Sequence, residues 1–308
     1  MPIPSVDAPA GSPASWLHDM AATIHDNILL HGAVLIHGIC MHTPADVAEA
    51  RQALAIEAFT PTEAFVRRND FGDGVVSPIQ WPDERLLCHF QEGSFSMDSP
   101  SFVLAACVKP PSSGGEAHLA DTRLIPEHLP VELVDKARKH GWTMTRVFHM
   151  GFGITWQEAF SVTSRAELED LLAREGIDHQ WRSDSLHTVR SLPALVDHPV
   201  TGKECWFNDL AFLNAASMTP HERTVLTAAF GDDLPMDTAF GDGTPLSAED
   251  VSTIQRAYEQ VTSSISWQPG DVLVVDNIMT SLGRAPFDGT PEFLIALGSK
   301  RSGSSAQR

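Results

Sequence analysis

The sequence predicts one domain of mixed α and β structure, an α+β chain rather than an alternating α/β one. Short apolar runs with strand character stand at both ends of the chain, while helix signals cluster near its start and between residues 150 and 262. Strands and helices therefore do not alternate as in a doubly wound sheet. The 308 residues contain neither an internal repeat nor a Pro/Gly-rich linker, which favours a single domain.

The elements follow in chain order. Residues 1–15, "MPIPSVDAPAGSPAS", are rich in Pro, Ala and Ser and are expected to be a flexible arm; they lack the basic and apolar regions of a signal peptide. Helices are expected near 16–31, 44–58, 130–140, 165–175, 220–230 and 248–262. Four of them announce their starts: Thr43 before Pro44 with Asp46, Ser164 with Glu167, Thr219 before Pro220 with Glu222, and Ser247 with Asp250. Each places a hydroxyl at the N-cap and an acid three residues on, which together satisfy backbone donors left open at a helix start. Gly176 and Gly231 are expected C-terminal stops. Strands are expected at "AVLIHG" (33–38), "SFVLAACV" (101–108), "WTMTRVF" (142–148), "DVLVVDN" (271–277) and "EFLIAL" (292–297), each a short run of β-favouring residues bounded by turn formers. The domain is thus drawn over 16–299, with 300–308, "KRSGSSAQR", as a flexible tail.

Composition narrows the function classes. With 43% hydrophobic and 20% charged residues the chain has ordinary globular composition. Forty acidic residues against 21 basic ones leave a formal net charge of −19. A surface of that sign repels phosphate backbones and anionic membranes, so neither is an expected partner. No apolar run approaches the about 18 to 20 residues of a membrane helix. Cys40, Cys88, Cys107 and Cys205 are scattered and form no C-x-x-C pair, so they read as small hydrophobes, consistent with a cytoplasmic location.

Three segments carry chemistry. "LLCHFQEGSFSMDSPSFVLAACVKPPSSGGEAHLADTR" runs from Leu86 to Arg123, "HPVTGKECWFND" from His198 to Asp209, and "WQPGDVLVVDNIMTSLGRAPFDG" from Trp267 to Gly289. In that order, over about residues 30 to 298, the chain resembles the taurine dioxygenase and clavaminate synthase-like family of iron(II)/2-oxoglutarate oxygenases. The resemblance implies a distorted double-stranded β-helix, a jelly roll with flanking helices and a helical insertion. It also implies a metal held by two histidines and a carboxylate. The family takes the first two ligands from an H-x-D/E motif, the third from a histidine in "DN-x-x-x-x-H-G-R", and holds 2-oxoglutarate with a later arginine and a threonine of "GG-D/E-T".

In that pattern His89 matches the first ligand, with Gln91 at the carboxylate position. Leu282 stands at the distal histidine, Pro291 or, one place on, Glu292 at the arginine, and Ala117 at the threonine. Each departure removes a group that binds iron or 2-oxoglutarate, while Asp121, Trp206, Asn208, Asp276, Asn277, Gly283 and Arg284 keep the frame. Placing Glu92 in the carboxylate role would supply only a second ligand beside His89. A glutamate at or near the arginine position would repel a dicarboxylate.

The expected function is that of an enzyme which retains the pocket without iron or 2-oxoglutarate. It would perform a non-redox acid–base reaction, a condensation or cyclisation such as a Pictet–Spengler closure, on an amine or amino-acid derivative in natural-product biosynthesis. Glu92 and His89 are the expected acid–base groups, and Arg284, Asn208, Gln91 and Phe95 the expected substrate contacts. Trp206 and Phe207 are expected in the core. Two alternatives stay open: an oxygenase that binds iron(II) and 2-oxoglutarate through an atypical site, and a catalytically silent protein that binds a small molecule or supports an active partner.

Overall fold

Seven strands build the larger sheet of the computed structural model, which describes residues 3–183 and 185–300. Its path runs Ser5–Ser12, Ala33–Ile39, Asp271–Asp276, Phe102–Lys109, Glu292–Lys300 and Ile56–Ala58, and Val75–Val76 also pairs with Glu292–Lys300. The central strands are apolar on both faces because both faces are covered. Leu104, Ala106, Val272 and Val274 point to one side, where they pack with Leu17 and Ile24 of helix Trp16–His31 and Val47 of helix Pro44–Ala53. Val103, Leu273 and Val275 alternate to the other side.

That second face meets a four-stranded sheet in the order Thr262–Ile265, Ala117–Asp121, Thr280–Arg284 and Leu87–Phe90. Ala117, Leu119, Leu282 and Ile265 from this sheet close the core between the two. The result is the jelly roll, a sandwich of two sheets face to face. The chain between Trp142 and Phe240 adds a third sheet, ordered Asp178–Arg182, Ser185–Leu192, Trp142–His149 and Met236–Phe240. Helices Val131–His140 and Ala248–Val261 share its hydrophobic core through Leu133, Ala137, Val251 and Ile254, the second helix also lying against Ala117–Asp121 and Leu87–Phe90. Helix Arg165–Arg174 adds Leu168 and Leu172 beside Phe148 and Leu186. This is the helical insertion.

A buried ion cluster ties that insertion to the 63–68 segment. Glu63 accepts from Arg146 at 2.7 Å and from Arg190 at 2.9 Å, with all three side chains nearly inaccessible. Arg146 also donates to the carbonyls of Ala64 (3.0 Å) and Phe65 (2.8 Å). Truncating Glu63 would leave Arg146 without its carboxylate and Arg190 with only Glu175 at 3.8 Å, a loss of about 3–5 kcal/mol. The segment so fixed delivers Arg68 to the site described below.

All four expected capping boxes form, with Thr43, Ser164, Thr219 and Ser247 each accepting from the backbone N–H three residues on. Gly32 closes the first helix at φ 82°, where a Cβ would run into the Thr280 hydroxyl. Two boundaries differ from expectation. The arm drawn over 1–15 is not free, because Ser5–Ser12 pairs in parallel with Ala33–Ile39, from Ser5 opposite Leu35 to Ser12 opposite Ile39. The open edge of a sheet accepts such a strand even with Pro9 in it, since an edge strand needs ladder bonds on one side only. The helix expected over 44–58 stops at Ala53, Ala55 turns the backbone at φ 55°, and Ile56–Ala58 joins the sheet edge. Arg51 secures this turn by donating to the Ile56 carbonyl at 2.7 Å. Of the expected tail 300–308, Lys300 ends the last strand and residues 301–308 lie outside the described residues. Among the described residues no helix is long and apolar enough to cross a membrane.

Candidate active site

A cleft of about 880 Å³ opens between the two facing sheets, within the about 300–1,000 Å³ usual for small-molecule sites. Its floor is apolar, from Val103, Ala105, Leu273 and Ile295 of the larger sheet and Ala117 and Leu282 of the smaller. Trp81 and Phe90 stand on one wall and Trp267 and Phe293 on another. Its charged groups are Asp83, Glu92 and Glu292 against Arg68 and Arg284.

Strand pairing decides which residues face this space. Leu87–Phe90 runs antiparallel to Thr280–Arg284 with Leu282 opposite Phe90 and Arg284 opposite Leu87, across a register irregularity. Phe90 and Leu282 line the cleft, and so does Glu92. His89 turns to the other side of its sheet, as adjacent residues of a strand do. There its Nε2 lies 2.8 Å from the Thr262 hydroxyl and its Nδ1 3.2 Å from that of Ser281, with the ring stacked on Tyr258 at 5.1 Å. Burial lowers its pKa to about 4, and the neighbouring His118 adds to the shift. His89 is thus a neutral structural imidazole, and the expectation that it serves beside Glu92 is corrected. The first-ligand position facing the cleft is Phe90, and the carboxylate position two residues on is Glu92, not Gln91.

Glu92 is held from both ends. Arg68 Nη2 donates to its Oε1 at 2.6 Å, each side chain being about one-seventh exposed. Asn277 Oδ1 accepts the Glu92 N–H at 3.0 Å, and Asn277 Nδ2 donates to the Glu92 carbonyl at 2.8 Å. Gln91 points inward, its Nε2 donating to the carbonyls of Asn277 (2.9 Å) and Ile278 (3.1 Å) and its N–H to Asp209 Oδ1 (3.0 Å). Burial pushes the Asp209 carboxyl up to about 7; the Gln91 N–H works against that shift and the nearby Glu92 charge adds to it.

Arg284 does reach the cleft. Its Nη2 donates to the carbonyls of Pro82 (2.9 Å) and Arg85 (3.2 Å), and its guanidinium lies over the Phe287 ring at 4.4 Å. Burial lowers its pKa and Asp83 partly restores it. The other expected contacts lie elsewhere. Asn208 is buried, donating to the Ala194 carbonyl at 2.8 Å and accepting from Leu210 N–H at 3.1 Å, which consumes its amide on backbone. Phe95 is a core residue packed beside Phe65 at 5.9 Å. Glu92 and Arg284 alone of the six expected residues line the cleft. No motif flags Arg68, whose place is set by the insertion rather than by its neighbours in sequence.

The family model for the taurine catabolism dioxygenase TauD, TfdA family matches residues 3–296. The chain belongs to the TauD/TfdA family. It is 31% identical to the dapdiamide synthesis protein DdaC of Enterobacter agglomerans over 268 residues, covering 86% of this chain and 82% of that one. A clavaminate synthase-like protein of Arabidopsis thaliana is 24% identical over 310 residues, covering 96% and 90%. Among solved structures, an asparagine oxygenase in complex with iron(II), 3-hydroxyasparagine and succinate superposes with a TM-score of 0.57 at 15% identity, covering 93% of this chain and 79% of that one. PvcB, an iron- and α-ketoglutarate-dependent oxygenase from an isonitrile synthetic pathway, superposes with a TM-score of 0.53 at 13% identity, covering 97% and 87%. These last two share the fold.

The TauD/TfdA chemistry asks for two imidazoles and a carboxylate on one face of a metal. At those positions this member presents Phe90, Glu92 and Leu282, and a phenyl and an isobutyl group have no lone pair to give. Glu92, the remaining donor, is already ion-paired to Arg68. Among the described residues no group of three or more His, Cys, Asp or Glu side chains is placed to hold a metal ion. The 2-oxoglutarate positions fare alike, since Ala117, Pro291 and Glu292 line the cleft where the resemblance asks for threonine and arginine. The residues present do not fit iron or the dicarboxylate, so the site is that of a TauD/TfdA fold whose cleft carries a carboxylate–guanidinium pair among apolar walls.

Proposed function

We propose that the chain is a small-molecule biosynthetic enzyme that performs a metal-independent acid–base reaction in this cleft. The observation that carries the reading is the Glu92–Arg68 pair, set beside Phe90 and Leu282 at the ligand positions of the family. A carboxylate on an apolar wall, aimed by a guanidinium, is suited to take a proton from carbon or nitrogen. The substrate is an amine or amino-acid derivative, and the reaction a condensation or cyclisation. In a Pictet–Spengler closure, amine and aldehyde lose water to give an iminium, the ring carbon bonds to the iminium carbon, and Glu92 takes the proton that the ring carbon must release. Arg284 bounds the cleft on the same strand as Leu282 and holds the Pro82–Arg85 wall through its carbonyl contacts. Kinship with a dapdiamide synthesis protein supports a place in small-molecule assembly.

The family relation favours a second reading, iron- and 2-oxoglutarate-dependent oxygenation, with ligands other than the family's. One experiment separates the two. Purified protein is assayed for bound iron and for succinate formed from added iron(II) and 2-oxoglutarate, and Glu92→Gln is compared with the parent on amine–aldehyde pairs. The acid–base reading expects neither stoichiometric iron nor succinate, and a fall in turnover of about 10²-fold or more in the variant. Stoichiometric iron with succinate formation, or unchanged turnover in Glu92→Gln, would overturn it.

A further inference from the structure

We infer that Glu292, with Trp267 and Phe293, forms a subsite for the ammonium group of an arylalkylamine whose ring lies on the apolar floor. This deepens the acid–base reading and rests on it for the reaction, though not for the binding. The first support is a backbone irregularity. Glu292 pairs with Lys109 and Phe293 with Cys107, so the register slips between two consecutive residues of the strand. Consecutive residues of a regular strand face opposite ways, but here Val108 of the neighbouring strand is the extra, unpaired residue of a bulge that breaks the ladder beside Glu292. In this strand both Glu292 and Phe293 line the cleft.

The second support is what stands around the carboxylate. Trp267 and Phe293 pack edge to face at 5.0 Å and 67°, making an aromatic corner on the same wall. No cation lies within ion-pair distance of Glu292 among the described residues. Lys109, its cross-strand partner, sends its ammonium to the Thr290 hydroxyl at 3.1 Å. Glu292 is exposed at the mouth of the cleft, with the half-buried Trp267 and Phe293 beside it, and a solvated carboxylate next to an aromatic corner can receive an organic cation through charge and through the ring quadrupole. The two guanidiniums of the cleft each spend one terminal nitrogen within the protein, Arg68 Nη2 on Glu92 and Arg284 Nη2 on carbonyls. Three carboxylates against these two leave a cleft that prefers a cation to an anion. The small side chains of Ala105 and Ala117 leave the floor open for a flat ring.

The test uses tryptamine and its neutral isostere tryptophol, titrated calorimetrically into the whole protein at fixed ionic strength. Tryptamine is expected to bind about tenfold or more tighter than tryptophol, and 2-oxoglutarate more weakly than either. In Glu292→Gln the tryptamine preference is expected to vanish while tryptophol affinity holds. Trp267→Leu, a second variant, is expected to weaken both. Because the readout is a ratio within each protein, a modest change in stability does not mimic it. Equal affinity for the two indoles in the parent, a preference that survives Glu292→Gln, or no binding of tryptamine at millimolar concentration would overturn the subsite. If the preference is found but Glu92→Gln leaves turnover unchanged, the subsite stands and the acid–base reading falls.

Discussion

Asp209 offers a measurement that reaches the floor of the site without knowledge of a substrate. Its side chain is almost wholly buried and accepts the Gln91 N–H at 3.0 Å. Burial, aided by the charge on Glu92, raises its pKa from 3.8 to about 7. Between those values the native state holds a proton that the unfolded state has released, so stability falls as pH rises by about 1.4 kcal/mol per unit for this group. The contribution is complete below 3.8 and lost as pH passes the native value, about 4 kcal/mol in all, of which about 2.5 kcal/mol falls between pH 5 and pH 8. Asp209→Asn removes the titration and keeps an oxygen that can accept from Gln91. Urea unfolding at pH 5, 6.5 and 8 should show the two proteins close at pH 5, and the variant more stable by about 2 kcal/mol or more at pH 8. Parallel stability curves for parent and variant across that range would refute the claim that a buried, proton-holding carboxyl underlies the Glu92 turn.

Two further outcomes test the architecture. Asn277→Ala removes the acceptor of the Glu92 N–H and the donor to the carbonyls of Glu92 and Pro100, at a site with no exposure. A loss of about 2–4 kcal/mol in urea unfolding is expected, with Glu92-dependent turnover falling too, whereas a neutral variant would show that the turn is held otherwise. The double variant Phe90→His, Leu282→His sets two imidazoles beside Glu92 on paired strands and should bind cobalt(II) at one equivalent, read from its visible absorption. If Leu282→His alone binds as well, His89 rather than Phe90 faces the cleft, and the pairing of Phe90 with Leu282 is refuted.

Buried elements are the legible ones. "DVLVVDN" and "SFVLAACV" announce themselves because both their faces are covered, so apolar residues run on without interruption. The strands Ala117–Asp121 and Thr280–Arg284 carry a weaker signal because the side away from the cleft admits His118 beside His89 and the cleft admits Gly283 and Arg284 into short runs. Motif order locates the site, but "HFQE" matches only half of H-x-D/E in either register, the histidine when read from His89 and the acid when read from Phe90. The choice is made by pairing Phe90 with Leu282, residues far apart in sequence. Arg68 is invisible to sequence reasoning for a similar reason, since Glu63 and its two arginine partners fix its segment through contacts with the insertion.

The replacements at the site make physical sense as a set. The family's ligand motifs ask for histidines at these positions. In this chain the same two strand positions, directly opposite in the ladder, carry Phe90 and Leu282, and an apolar cross-strand pair stabilises a sheet by packing, about 0.2–1 kcal/mol relative to alanines. The frame can therefore outlast the loss of a metal ligand set. A carboxylate left alone beside that pair would be costly to keep, and Arg68 offsets the cost by pairing with Glu92 at 2.6 Å. Glu292 has no such ion pair among the described residues of the cleft it lines. Glu292 stands exposed at the mouth of the cleft, where water carries its charge, so it is free to exchange that water for a cationic guest, which is the exchange that the tryptamine titration reads.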